Sequence, residues 1–231
     1  MSRKRIQAAL FDLDGVVFDS EPQYTEFWGR EFRRYYPEQP GLEQQIKGQT
    51  LVQLFDRYFA GMEAVQAEIT QRLDDFERQM RFDYIRGLPA FVASLREHGV
   101  RTAVVTSSNR AKMENVYRCR PDMRPMFDAI LTAEDFAESK PHPDCYLKAA
   151  ARIGAEVAGC VVFEDSFNGL RAGRAAGMYV VGLATTNSEA DIAQLSDCVV
   201  KDFAQLDYNT LCDIMNRTLT WQDIYQTRER K

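Results

Sequence analysis

The chain has 231 residues, of which 45% are hydrophobic and 27% charged, and a formal net charge of −5. This size and composition suit a folded core with a modest insertion and exclude a disordered or low-complexity chain. The acidic balance, with no long Lys/Arg run, excludes general nucleic-acid binding through counterion release.

Arg3, Lys4 and Arg5 precede an apolar run that Asp12 cuts short, so no secretory leader is expected. Gln7 to Leu13 reads as the first strand, apolar enough for burial on both faces of a parallel sheet. Between Pro22 and Phe82 the pattern changes. Tyr24, Phe27, Trp28, Phe32, Leu51, Leu54, Phe55, Tyr58 and Phe59 recur at helical spacings, which predicts an inserted helical bundle broken near Pro37 to Gly41 and near Gly61.

From Gly87 onward helix and strand alternate. The expected elements are a helix Pro89 to His98, strand Arg101 to Val105, helix Arg110 to Arg118, and an edge strand Phe127 to Leu131. Helix Pro143 to Ile153, strand Cys160 to Glu164, helix Asn168 to Ala176, strand Tyr179 to Leu183 and a short strand near Cys198 to Lys201 follow. This alternation predicts an α/β fold with a doubly wound, mostly parallel sheet. No apolar stretch approaches the roughly twenty residues of a bilayer span, so no membrane partner is expected. Cys119, Cys145, Cys160, Cys198 and Cys212 are odd in number and lack CxxC spacing, which fits reduced thiols in a cytoplasmic protein.

Chemistry-bearing residues gather where strands end or helices begin. Asp12 and Asp14, two apart, fall on one face if the pleat continues; carboxylates that close suit a nucleophile, an acid/base or a cation site, and equally an acidic helix cap. Thr106, Ser107 and Ser108 follow Ala103-Val104-Val105 and offer hydroxyls and amides to an anion, or simply cap the next helix. Lys140 stands in a proline-stiffened loop, and Glu164-Asp165 repeat the carboxylate pair with hard oxygens suited to Mg2+. His142 reads as a solvated loop residue. Gly169, Gly173 and Gly177 recur every four residues and read as close helix-to-sheet packing.

Taken in order, Phe11-Asp12-Leu13-Asp14-Gly15-Val16, Val104-Val105-Thr106-Ser107-Ser108, Ser139-Lys140-Pro141-His142-Pro143 and Phe163-Glu164-Asp165-Ser166-Phe167-Asn168-Gly169 resemble the four motifs of the haloacid dehalogenase superfamily. The match is to its phosphatase and β-phosphoglucomutase branch. The resemblance implies a Rossmann-like core of residues 1–16 and 87–231 with an all-helical cap of residues 17–86. Asp12 is the implied nucleophile, forming an aspartyl-phosphate, and Asp14 the implied acid/base. Mg2+ is the implied cofactor, held by Asp12, the Asp14 carbonyl and Asp165, with Glu164 assisting. Thr106, Ser107 and Lys140 are the implied phosphate contacts.

An aspartate at position 14 disfavours the dehalogenase and phosphonate-cleaving members. The mutase pattern of the cap has a Lys-Gly pair, matched by Lys47-Gly48, but its arginine and serine are replaced by Leu51 and Leu54, and a histidine by Tyr24. Hydrolysis of a small phosphorylated metabolite by a monomeric enzyme is therefore expected, with a phosphomutase and a catalytically idle phosphate-binding protein as alternatives. Glu21, Lys47, Gly48, Gln49, Ser108, Asn109 and Arg110 are candidate substrate contacts.

Overall fold

The computed structural model describes residues 6–47 and 49–216; Arg3, Lys4, Arg5, Gly48 and the tail beyond Asn216 lie outside the described residues. Among the described residues six strands form one sheet: β1 (Ala8–Phe11), β2 (Arg101–Val105), β3 (Ala129–Leu131), β4 (Cys160–Glu164), β5 (Tyr179–Leu183) and β6 (Cys198–Val200). Their order is β3-β2-β1-β4-β5-β6, and every neighbouring pair is parallel. Phe11 of β1 is level with Val104 on one side and Phe163 on the other. Because the chain winds outward to β3 and then crosses to β4, a crevice opens beyond the carboxyl ends of the strands beside β1.

Successive side chains along a strand face opposite ways. Ala9, Phe11, Val104, Val161 and Phe163 enter one buried cluster, whereas Ala8, Leu10, Ala103, Val105 and Val162 enter another. Coverage of both faces explains why these strands are unbroken apolar runs. Phe11 stacks on Phe163 at 4.7 Å between ring centres, and Phe91 and Phe203 pack against both.

The segment after β1 supplies α1 (Glu21–Tyr35), α2 (Leu42–Gln45), α3 (Leu51–Tyr58) and α4 (Glu63–Glu77). Phe27, Trp28, Phe32, Leu54, Phe59 and Ile69 give these helices a core of their own. Thr50 starts α3 with a reciprocal cap: its hydroxyl accepts from the Gln53 amide while the Gln53 side chain accepts from the Thr50 amide. The chain enters and leaves the insertion side by side, with Ile85 N–H donating to Val17 O and Asp19 N–H to Asp83 O. Thereafter come α5 (Leu88–Glu97), α6 (Arg110–Cys119), α7 (Asp144–Arg152), α8 (Phe167–Ala175), α9 (Glu189–Ile192) and α10 (Tyr208–Met215).

Strands β2, β4 and β5 occupy the residues expected of them. β1, however, stops at Phe11, two residues short of the expected Leu13. Asp12 still donates to Phe163 O, but then the chain turns: the amides of Val17 and Phe18 both reach Leu13 O, and Gly15 takes φ +76°. Asp12 and Asp14 therefore converge through a turn, not through a pleat. A side chain at Gly15 would also overlap the Asp165 carboxylate, so both conformation and space require glycine there. Helices α9 and α10 were not anticipated. α10 buries only Leu211 and Ile214, and its start depends on Asp207 accepting from the Thr210 amide.

The expectation of one packing role for three glycines needs correction. Only Gly173 fits it, lying against Val162 and Val180, while Gly177 at φ +75° ends the helix. Gly169 instead leaves room for the Glu164 carboxylate. Gly169→Ala is accordingly expected to destabilise the protein by about 1–3 kcal/mol through overpacking, outweighing the ~0.5–1 kcal/mol that alanine gains in a helix. Urea denaturation measures this, and a neutral or stabilised variant would remove Glu164 from beneath α8.

Candidate active site

The ends of β1, β2 and β4 and the connection from β3 to α7 bring together Asp12, Thr106, Glu164 and Lys140. The Asp12 side chain is 13% exposed, so it reaches the cavity, and Oδ1 accepts from Lys140 Nζ at 2.6 Å. Lys140 is buried and donates further to Glu164 Oε1 at 2.7 Å and Val105 O at 3.0 Å. Three acceptors use all three of its protons. Burial disfavours the ammonium, but Asp12 and Glu164 outweigh that and hold its pKa well above the ordinary lysine value.

Glu164 has no exposed surface, and both its oxygens are taken. Oε1 also accepts from Tyr146 Oη at 2.9 Å, and Oε2 accepts from the Asp165 amide, the Ser166 amide and Ser166 Oγ at 3.1 Å each. Ser166 Oγ in turn accepts from the Gly169 amide and caps α8. Asp165 is different: its Oδ1 is buried without a hydrogen-bond partner. Burial, then Glu164, Asp12 and Glu21, push the Asp165 carboxyl far above the usual range. Asp12 is raised to about 7, first by burial and then by Glu164, with Lys140 opposing.

Asp14 has a richer set of donors. Ser20 Oγ reaches Oδ1 at 2.5 Å, while Ser108 Oγ at 3.1 Å and Lys112 Nζ at 2.5 Å reach Oδ2. Burial opposes its charge, yet the Lys112 ion pair and the hydroxyl donors hold the carboxyl below its ordinary value. Lys112 itself is only 4% exposed and lies 4.6 Å from the centre of the Tyr24 ring, whose hydroxyl donates to Glu77 at 2.7 Å.

These groups face a cavity of about 490 Å³ between the helical insertion and the sheet edge, with Trp28, Leu51, Leu54 and Leu73 among its apolar walls. Thr106 and Ser107 line it, and Thr106 Oγ1 accepts from the Ser108 amide at 3.0 Å. Glu21, Lys47 and Gln49 line it as well. Burial foremost, with Asp14 adding, raises Glu21 to about 7. Lys47 is engaged with the segment after β5, donating to Thr186 O at 3.1 Å. Asn109 caps α6 by accepting from the Lys112 amide. Arg110 is the departure: it is exposed, does not line the cavity, and gives its amide to Glu134. Gly48 lies outside the described residues. His142 is exposed beside Glu138 and takes no part in the cavity wall, as its loop position suggested.

Sequence reasoning missed Lys112, Ser20 and Tyr146. Lys112 had a signal: it lies four residues after Ser108 and four before buried Val116, hence on the inward stripe of α6. Ser20 and Tyr146 had none beyond proximity to the motifs.

The carboxylates fit a divalent cation. Oxygens of Asp12, Glu164 and Asp165 lie within 4.8 Å of one another, and among the described residues Lys140 is the cation paired with Asp12 and Glu164. Ionising all three carboxyls therefore leaves two negative charges unbalanced beside an unpartnered Asp165 oxygen; burial first, and then this crowding, raises Asp12 and Asp165, and a cation would relieve it. Hard oxygen donors of this kind suit Mg2+.

The family model of the haloacid dehalogenase-like hydrolases matches residues 6–177. Hexitol phosphatase A of Escherichia coli is 32% identical over 200 residues, spanning 84% of this chain and 88% of that protein. Validoxylamine A 7'-phosphate phosphatase of Streptomyces hygroscopicus is 29% identical over 208 residues, spanning 87% and 95%. Among solved structures, β-phosphoglucomutase of Clostridium difficile superposes with a TM-score of 0.76 at 20% identity, covering 92% of this chain and 98% of that one. Sheet order, the arrangement of the motifs and these likenesses agree, and the chain belongs to the haloacid dehalogenase-like hydrolase family.

Proposed function

We propose that the protein is a Mg2+-dependent phosphatase that hydrolyses a small phosphorylated metabolite through an aspartyl-phosphate on Asp12. The observation that carries this reading is the Asp12 carboxylate, partly open to a cavity and held by Lys140 beside the unpartnered Asp165 oxygen. In the first half-reaction an Asp12 oxygen bonds to phosphorus as the bond to the ester oxygen breaks; Asp14, ionised in the resting site, takes up the proton that the phosphate monoester monoanion brings and passes it to that departing oxygen. In the second, Asp14 takes a proton from water as that water displaces phosphate from Asp12. Splitting the displacement in two makes each step easier. Lys140, the Thr106 hydroxyl and the Ser107 amide face the phosphoryl oxygens, where transition-state charge spreads. Asp12, the Asp14 carbonyl and Asp165 would hold Mg2+, with Glu164 adding charge and fixing Lys140. Bound there, the cation supplies charge neutralisation to the phosphoryl oxygens and keeps Asp12 ionised despite its burial.

In this reading residues 17–86 form a cap that closes over the leaving group. Glu21, Glu43, Asp74 and Glu77 line that side of the cavity, while Lys47 and Lys112 are already engaged. Such a wall suits an uncharged hydroxylated leaving group, and the phosphatase relatives named for sugar-like phosphates support it. A mutase must seat a second phosphate, for which this side offers little free positive charge. The test is phosphate release from p-nitrophenyl phosphate and a panel of sugar and polyol phosphates. Activity is expected to vanish with EDTA and return with Mg2+, and Mg2+ is expected to raise the Tm of the wild type but not of Asp165→Asn. Conversion of glucose 1-phosphate into glucose 6-phosphate faster than phosphate appears would favour the mutase instead.

A further inference from the structure

We infer that Lys112 is the positioning residue for Asp14, fixing the carboxylate from α6 and tying it to the helical insertion through Tyr24. The inference rests on the reading of Asp14 as acid/base. A lysine, even on the inward face of an amphipathic helix, ordinarily keeps its ammonium in water, because withdrawing the charge is costly. Lys112 is instead 4% exposed, and its Nζ lies 2.5 Å from Asp14 Oδ2. Ser108 Oγ shares that oxygen and Ser20 Oγ takes the other, so donors from α6, from the loop before it and from the residue preceding α1 converge on one carboxylate.

Position is what an acid/base residue requires. Asp14 must reach a leaving oxygen and then a water on the same side of the phosphorus, and small misplacements of such a group lose large rate factors. The roof over Lys112 comes from the insertion: the Tyr24 ring sits 4.6 Å from Nζ, and its hydroxyl is anchored to Glu77 on α4. Movement of α1 and α4 therefore moves the ring that confines the ammonium, and with it Asp14. Lys112 makes no contact with the transferring phosphoryl group in this scheme; that part belongs to Lys140.

The experiment is a double-mutant cycle with p-nitrophenyl phosphate and Mg2+, using wild type, K112M, D14N and K112M/D14N. K112M is expected to lower kcat about 10-fold or more, as part of what a placed acid/base contributes. It is also expected to keep a pre-steady-state burst of p-nitrophenolate, because attack by Asp12 on this good leaving group needs little help from Asp14 whereas breakdown of the aspartyl-phosphate does. In the D14N background the same change is expected to alter kcat by less than about 2-fold, since the positioned group is already gone. Loss of the burst together with kcat, or an equal factor in both backgrounds, overturns the inference in favour of a structural role. D14N with wild-type kcat removes the reading of Asp14 and this inference with it; slow D14N beside a wild-type K112M removes the inference only. Should K112M fold poorly, K112Q serves in the same cycle with the same criteria.

Discussion

Asp12→Asn is expected to lower kcat by about 10^4-fold or more, the scale of loss when a covalent nucleophile is removed. The side chain keeps its size and can still meet Lys140, so the fold is expected to survive. What goes is the oxygen nucleophile: an amide has no ionised oxygen to bond to phosphorus. Asp12 is also a strongly perturbed carboxyl of the cavity wall, paired directly with Lys140. Residual turnover should show no burst of p-nitrophenolate, because no phosphoenzyme forms. A D12N enzyme within about tenfold of wild type would exclude covalent catalysis by Asp12, whatever other residues contribute.

Lys140→Met is the second large expectation, and it affects stability and rate together. The ammonium neutralises Asp12 and Glu164 at 2.6 and 2.7 Å and satisfies Val105 O. Its removal leaves a fully buried glutamate facing an aspartate with no cation between them. Breaking a buried pair from one side costs about 3–5 kcal/mol, and the lower end is expected here because Tyr146 and Ser166 still donate to Glu164. Loss of a fixed positive charge beside the phosphoryl oxygens is expected to lower kcat by about 10^2–10^3-fold. Urea denaturation and initial rates measure the two effects separately. An unfolding free energy equal to that of wild type would contradict the assigned ion pairs; a normal rate would remove Lys140 from the phosphate site. Lys140→Arg is not expected to rescue either, since a planar guanidinium cannot direct donors to the three oxygens that one ammonium serves.

The sequence revealed the sheet well because burial on both faces forces continuous apolar runs, and β2, β4 and β5 match their expected bounds. It also marked residues that meet at one sheet edge, since Asp12, Thr106 and Glu164 each lie at the end of such a run and parallel strands deliver those ends together. The convergence of Asp12 and Asp14 was foreseen for the wrong reason: alternation along a strand was invoked, whereas Gly15 makes a turn. Helical spacing put Lys112 on the inward stripe of α6, but not against Asp14. Of Arg110, Lys112, Glu114 and Arg118 on this helix, the structure buries Lys112 and leaves the others exposed. Asn109 illustrates the reverse, a polar residue beside the motif whose side chain serves the helix start. Contacts that depend on how the insertion sits over the sheet are nonlocal, and no spacing within one element encodes them.

The central claim is covalent, so the most direct test looks for the bond. Wild-type enzyme with Mg2+ is mixed with phosphate-labelled p-nitrophenyl phosphate, quenched in acid during the first turnover, reduced with borohydride and digested for mass spectrometry. The account predicts label on the protein after the quench and conversion of Asp12 to homoserine in the reduced peptide. Release of all label as free phosphate in a competent single turnover, or reduction at any other carboxylate, would contradict it.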